Sequence, residues 1–139
     1  MRRVLVDTGP LVAILSRDDE YHDACANALR EMPGPLLSCW PVITEAAWLL
    51  RRSPRALRQL LVSIDGSFLE LLPLAGAEAE PIVALMKRFE DIQPQLADAT
   101  LVYLAGRDKI DTIFTLDRRD FSIYRSGRKK AFHIVPEIT

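Results

Sequence analysis

No run of apolar residues in this chain approaches the about 20 needed to cross a bilayer, which excludes a membrane-spanning helix; no membrane partner is expected. Cysteine is scarce as well. The two present, Cys25 and Cys39, lie in unlike contexts without metal-ligand spacing, so neither a disulfide framework nor a thiolate metal cluster is expected. Buried free thiols in a reducing compartment are expected instead. A basic excess is also missing: 18 Lys and Arg stand against 19 Asp and Glu, so the chain lacks the overall positive field of a non-specific nucleic-acid binder. Neither an internal repeat nor a low-complexity linker occurs, which predicts one compact domain over residues 1–139. The start, Met1-Arg2-Arg3 before apolar residues, imitates a signal peptide. Asp7 interrupts that run and residues 16–20 offer no small-residue cleavage site, so a cytoplasmic location is expected.

What is present is an alternation of short apolar runs with helical periodicity. Val4 to Val6, Leu36 to Ser38, Phe68 to Leu71, Ile113 to Phe114 and Phe132 to Val135 read as strands, the first and fourth continuously apolar as expected of strands covered on both faces. Thr8-Gly9-Pro10 is turn chemistry. Helices are predicted over 11–15, 20–32, 41–52, 53–66, 77–89 and from Gln93-Pro94 to about Arg107, with stripes such as Leu57, Leu60, Leu61 and Ile64 or Ile82, Leu85, Met86 and Phe89 forming core faces. Such alternation implies right-handed crossovers and an α/β fold of three layers, α/β/α, around a mostly parallel sheet of four to five strands.

Four acids occupy telling places in this pattern. Asp7 closes the first strand, Glu45 lies in the helix toward Leu50, Asp98 sits inside the run Leu96 to Leu104, and Asp117 follows the strand Ile113-Phe114. Ligands of open α/β sheets bind outside the carboxyl ends of the strands, near the point where strand order reverses. Neighbouring strands are roughly 4.8 Å apart, so Asp7 and Asp117 are able to face one ion.

Electrostatics limits what such a cluster does alone. Two carboxylates about 5 Å apart at an effective dielectric near 20 repel by roughly 3 kcal/mol, and four would approach the whole stability of a small domain. Either some of the acids carry protons or a divalent cation neutralises them. Oxygen ligands without His or Cys favour Mg²⁺ or Mn²⁺ over zinc. Basic residues flank the acids: Arg51, Arg52, Arg55 and Arg58 after Glu45, and Arg118, Arg119, Arg125, Arg128, Lys129 and Lys130 after Asp117. An acidic centre between basic patches suits a polyanion that must reach a metal, although two solvated faces would read the same way.

Taken with the segments Val4-Leu5-Val6-Asp7-Thr8-Gly9, Val42-Ile43-Thr44-Glu45-Ala46, Leu96-Ala97-Asp98-Ala99 and Thr115-Leu116-Asp117-Arg118-Arg119-Asp120-Phe121, the arrangement resembles the PIN domain, and within it the single-domain ribonuclease toxins called VapC. The likeness spans essentially the full chain. It implies a metal-dependent endoribonuclease in which Asp7, Glu45, Asp98 and Asp117 are the catalytic acids and bind one or two Mg²⁺ or Mn²⁺ ions, a metal-activated water cutting RNA to leave 5′-phosphate and 3′-hydroxyl ends. Thr8 and Thr115 would orient those carboxylates or the metal's waters, and Arg118 and Arg119 would contact the RNA. A homodimer and a cognate antitoxin are implied as partners, with Trp40, Trp48 and the Leu57 to Ile64 stripe as candidate apolar surface, although for that stripe a buried core is the stronger reading. Alternatives within the same fold are an RNA-processing or quality-control nuclease with no toxin role, and a non-catalytic interaction module.

Each acid also has an innocent reading. Asp7 and Asp117 suit turn or cap positions, and Glu45 and Asp98 suit the first turns of helices. Asp91 reads as a solvated loop acid and Asp120 as a cap beside a packed Phe121. His22 and His133 are too isolated to nominate. A haloacid-dehalogenase type of phosphotransfer enzyme needs a second acid two positions after the first, where this chain has Gly9. A phospho-acceptor receiver needs an Asp after its third strand, where residues 69–73 hold only Glu70.

Overall fold

The computed structural model describes residues 3–66, 68–127 and 130–137. The chain begins with strand β1 (Val4–Val6), followed by α1 (Thr8–Leu15), α2 (His22–Arg30), β2 (Leu36–Ser38), α3 (Trp40–Leu49), α4 (Pro54–Asp65) and β3 (Leu69–Leu71). A short 3₁₀ turn (Gly76–Glu78) leads into α5 (Ala79–Arg88), a second (Glu90–Ile92) into α6 (Leu96–Asp108), and then come β4 (Thr112–Phe114), α7 (Arg118–Phe121), β5 (Arg125–Ser126), β6 (Lys130–Ala131) and β7 (His133–Val135).

Five strands form one parallel sheet in the order β3-β2-β1-β4-β7, while β5 and β6 make a separate antiparallel pair. Leu5 is in register with Leu37 on one side and Ile113 on the other. From β1 the chain moves outward to β2 and β3, then crosses back to β4 on β1's free side. The reversal therefore lies between β1 and β4, and their carboxyl ends open the crevice in which such sheets bind ligands. Crossovers between parallel strands place helices on both faces of the sheet. The packing divides in the same way: α1 contacts α2, α3 and α4, while α5 lies on α6, and α3 meets α6 beside the crevice.

The strand expectations hold because the residues are covered on both sides. Every residue of β1, β2 and β4 is buried, and Leu5, Val6, Ile113 and Phe114 are fully so. At about 1.5–3 kcal/mol per large apolar side chain, this central layer supplies much of the drive to fold. Leu60 of the α4 stripe joins the core whereas Leu61 remains exposed, and Cys25 and Cys39 are buried free thiols.

Two local expectations differ from the structure. Thr8-Gly9-Pro10 is the first turn of α1 and not a separate turn, because the Asp7 side chain caps the helix and Pro10 lies where no intrahelical N–H is needed. The β5–β6 pair stands where the sequence suggests only a basic loop. Gly127, at φ +53°, turns the chain there, and Tyr124 and Phe132 pack edge-on around Phe121 with ring centroids 5.1 and 5.7 Å away. Arg128 and Lys129, counted above in the basic patch, lie outside the described residues. Among the described residues, no helix is long and apolar enough to cross a membrane.

Candidate active site

Asp7 is placed first by the sheet and then by its own hydrogen bonds. Its backbone N–H continues the parallel ladder by donating to the Phe114 carbonyl at 2.9 Å, which fixes it at the carboxyl end of β1. One carboxylate oxygen, Oδ1, accepts the Thr8 N–H at 2.8 Å, and the other, Oδ2, accepts the Thr115 hydroxyl at 2.7 Å. Only 7 % of the residue is exposed. Burial raises its pKa above the ordinary carboxylate value, and the charges of Glu45 and Asp117 push the same way, while the bonds from Thr115 and Thr8 oppose them.

Thr115 carries the arrangement on to β4. Its hydroxyl also accepts the Asp117 N–H at 3.0 Å, and Asp117 in turn accepts the Asp120 N–H at Oδ1, also at 3.0 Å, as the N-cap of α7. The innocent cap reading of Asp117 is thus true of one oxygen. The same side chain also lies against other carboxylates: single oxygens of Asp98, Asp117 and Asp120 all fall within 4.8 Å of one another.

Helices bring the remaining acids. Asp98 is the third residue of α6, on the first turn, and Glu45 stands in the middle of α3, where the helix dipole gives no account of an acid. Asp7, Glu45, Asp98, Asp117 and Asp120 all line one open cleft of about 600 Å³, together with Gln93 and Gln95. Burial raises Asp98 to about 7, assisted by the negative charges of Asp7, Asp117, Glu45 and Asp120. Burial also raises Asp120, with Asp117 the next cause. Another depression, of about 450 Å³, is lined by Val4, Met32, Thr112 and Val135 and lies away from the carboxyl ends of β1 and β4.

Three carboxylate oxygens so close repel by roughly 3 kcal/mol per ionised pair. The hydrogen bonds to Asp7 and Asp117 hold two of the acids toward the cleft in spite of that cost. The donor set is oxygen alone, in a cleft open to solvent, and this chemistry fits a hard divalent cation such as Mg²⁺ or Mn²⁺. Asp98, Asp117 and Asp120 are the residues placed to hold it, with Asp7 and Glu45 on the same walls.

The structure brings the four sequence-nominated acids to one cleft and adds Asp120, which the sequence reading assigned to capping. The roles are exchanged: Asp117 supplies the capping oxygen and Asp120 only its N–H, leaving the Asp120 carboxylate turned to the cluster. The available signal was its spacing of three from Asp117 at a helix start, which puts both on one side of the turn. Thr115 orients Asp7 as expected. Thr8 does so through its backbone N–H and not its side chain, whose hydroxyl is buried with no hydrogen-bond partner among the described residues. Arg118 is exposed, and its guanidinium donates to the Pro136 carbonyl at 2.8 Å, which ties it to the segment after β7; Arg119 is exposed. Asp91 is exposed in the second 3₁₀ turn and does not line the cleft, and His22 packs its Nδ1 on the Ala13 carbonyl at 2.7 Å.

Comparison with known proteins bears on the family and the fold. The chain is 29 % identical over 135 residues to Ribonuclease VapC26 of Mycobacterium tuberculosis, an alignment covering 96 % of this chain and all of the relative. Its fold is similar to the crystal structure of Mycobacterium tuberculosis VapC20, described as a sarcin-ricin loop cleaving toxin, with a TM-score of 0.73 and 17 % identity over 79 % of this chain and 86 % of that one. The family model for the PIN domain matches residues 4–126, nearly the whole α/β unit with all five acids, and the chain belongs to the PIN domain family.

Proposed function

We propose that this protein is a metal-dependent endoribonuclease, the toxin of a toxin–antitoxin pair, formed as one PIN domain. The observation that carries the reading is the convergence of Asp98, Asp117 and Asp120 within 4.8 Å, in a cleft whose walls also present Asp7 and Glu45. The full-length similarity to a ribonuclease supports the substrate class.

In this reading Asp7, Glu45, Asp98, Asp117 and Asp120 hold one or two Mg²⁺ or Mn²⁺ ions. When bound, such an ion supplies Lewis-acid activation of water and charge neutralisation at a phosphodiester. The chain supplies placement. Thr115 and the Thr8 N–H fix both oxygens of Asp7, the N-cap fixes Asp117, and Gln93 and Gln95 at the cleft offer amide donors to phosphate or ribose oxygens. Exposed Arg119 provides positive charge on the approach. Hydrolysis adds water across one bond: phosphorus gains the water oxygen, the P–O3′ bond breaks, and the leaving 3′ oxygen takes a proton, giving 5′-phosphate and 3′-hydroxyl ends. A homodimer, a cognate antitoxin and a cytoplasmic location complete the proposal.

The test is incubation of purified protein with tRNA, rRNA and mRNA in Mg²⁺ or Mn²⁺, followed by sequencing of the new ends. Discrete cuts with 5′-phosphates, lost in excess chelator and in Asp7→Asn, are expected. Cleavage that persists in both conditions would overturn the reading. Growth arrest on expression of the wild type but not of Asp7→Asn separates a toxin from an RNA-processing nuclease.

A further inference from the structure

We propose that α3 carries a base-stacking platform for single-stranded RNA, built from Trp40 and Trp48 beside the acidic cleft; the proposal rests on the ribonuclease reading. Both indoles are more than half exposed, at 59 % and 63 %. They lie on either side of Thr44 at spacings of four, one face of the helix, and are about 12 Å apart along its axis, so they meet different bases of one strand. Single exposed apolar residues are ordinary, but two indoles and the half-exposed Leu96 around one groove mark a binding surface.

Three observations point to RNA as the occupant. The groove, about 510 Å³, shares Glu45 and Gln95 with the acidic cleft, so a strand lying in it continues directly to the carboxylates. The Arg51 guanidinium lies 3.9 Å above the Trp48 ring and donates to the Trp48 carbonyl at 2.9 Å, which steadies the indole and puts positive charge where a phosphate would pass. Arg52, Arg55 and Arg58 are exposed in the segment that follows α3 and in the first turns of α4, which adds positive charge on the C-terminal side of Trp48. Indole faces with an adjacent basic track are what single-stranded nucleic acid uses when bases are held without sequence readout.

Trp40 and Trp48 are the chain's two tryptophans, so intrinsic emission reports on the platform directly. The full chain, in chelator to block cleavage, is titrated with a short unstructured RNA oligonucleotide labelled for anisotropy. Trp emission should be quenched in step with binding. Trp40→Ala and Trp48→Ala should each weaken binding about ten-fold, within the range for one lost stacked base, and Trp48→Phe should retain most of the affinity. Val83→Ala, an equally exposed position on α5, should bind as the wild type.

Unchanged emission at RNA concentrations that saturate the anisotropy overturns the platform while leaving the ribonuclease reading intact. So does wild-type binding by both folded Trp→Ala variants, folding being checked by circular dichroism; if a variant fails to fold, the wild-type quench decides. Loss of a dimer in the Trp→Ala variants, with RNA affinity kept, assigns the face to a second copy and also overturns it. Absence of both RNA binding and cleavage removes the ribonuclease reading and the platform together.

Discussion

The Thr115 hydroxyl joins two acids, donating to Asp7 Oδ2 at 2.7 Å while accepting the Asp117 N–H at 3.0 Å. Thr115→Val keeps the shape and removes both bonds, leaving a buried carboxylate oxygen and a backbone donor unpaired. A loss of about 1–3 kcal/mol is expected in urea unfolding. Cleavage should fall about 10- to 100-fold, as when a residue that orients metal ligands is removed. Thr115→Ser should restore most of both, because the hydroxyl returns. Valine at wild-type activity would show that Asp7 needs no such support.

Asp98 ties stability to pH. Its pKa in the fold is about 7, raised from 3.8 by burial first and by the neighbouring acids next. The native state therefore binds a proton more tightly than the unfolded chain. Sign and window follow: the metal-free protein keeps this contribution below about pH 4 and loses it as pH rises through about 7. Asp98→Asn removes the penalty. In chelator its melting temperature should exceed that of the wild type at pH 8, with the gap closing toward pH 4–5. Millimolar Mg²⁺ or Mn²⁺ should reverse the order by binding the native wild type. A gap independent of pH would mean that Asp98 does not titrate in this range.

Much of this was legible in the sequence because it depends on short-range pattern. Continuous apolar runs identified β1 and β4, and the acids after them pointed to the crevice; helix stripes placed Asp98 beside the core. What escaped needed three-dimensional information. Pro10 reads as a turn former until Asp7 is seen to cap α1, since Pro in a first helical turn and Pro in a turn look alike in one dimension. Asp117 and Asp120 both suit an N-cap, and only the coordinates show which oxygen is used. The β5–β6 pair depends on Gly106 and Gly127 meeting across 21 positions of sequence (127 − 106), which no local signal encodes.

Asp120→Asn tests the acid that the sequence reading left out of the cluster. The α7 cap uses the Asp120 N–H and the Asp117 carboxylate, so this substitution leaves the cap in place. It removes one negative oxygen from the group formed with Asp98 and Asp117. The Mn²⁺ concentration giving half-maximal cleavage should rise about ten-fold or more, the scale of a weakened metal site. In chelator the melting temperature should rise. Asp91→Asn, exposed and outside the cleft, should change neither. Equal behaviour of the two variants would return Asp120 to a purely structural role.

Gly106→Ala separates helix propensity from packing. Alanine in α6 is favoured over glycine by about 1 kcal/mol in a helix interior, so by propensity alone the change stabilises. A Cβ at this position meets the Gly127 N and Cα at 3.2 Å, and those are backbone atoms that cannot rotate away. Gly127 is itself held at φ +53°, a conformation that other residues rarely adopt, so moving it disturbs the turn before β6. Overpacking against backbone costs about 1–3 kcal/mol, which exceeds the propensity gain over most of that range. A net loss of about 1 kcal/mol is expected from urea denaturation. Cleavage per folded molecule should be unchanged, because Gly106 lies eight positions along α6 from Asp98, about 12 Å from the cleft. A more stable variant would show that the β5–β6 pair yields to α6 and does not set its limit.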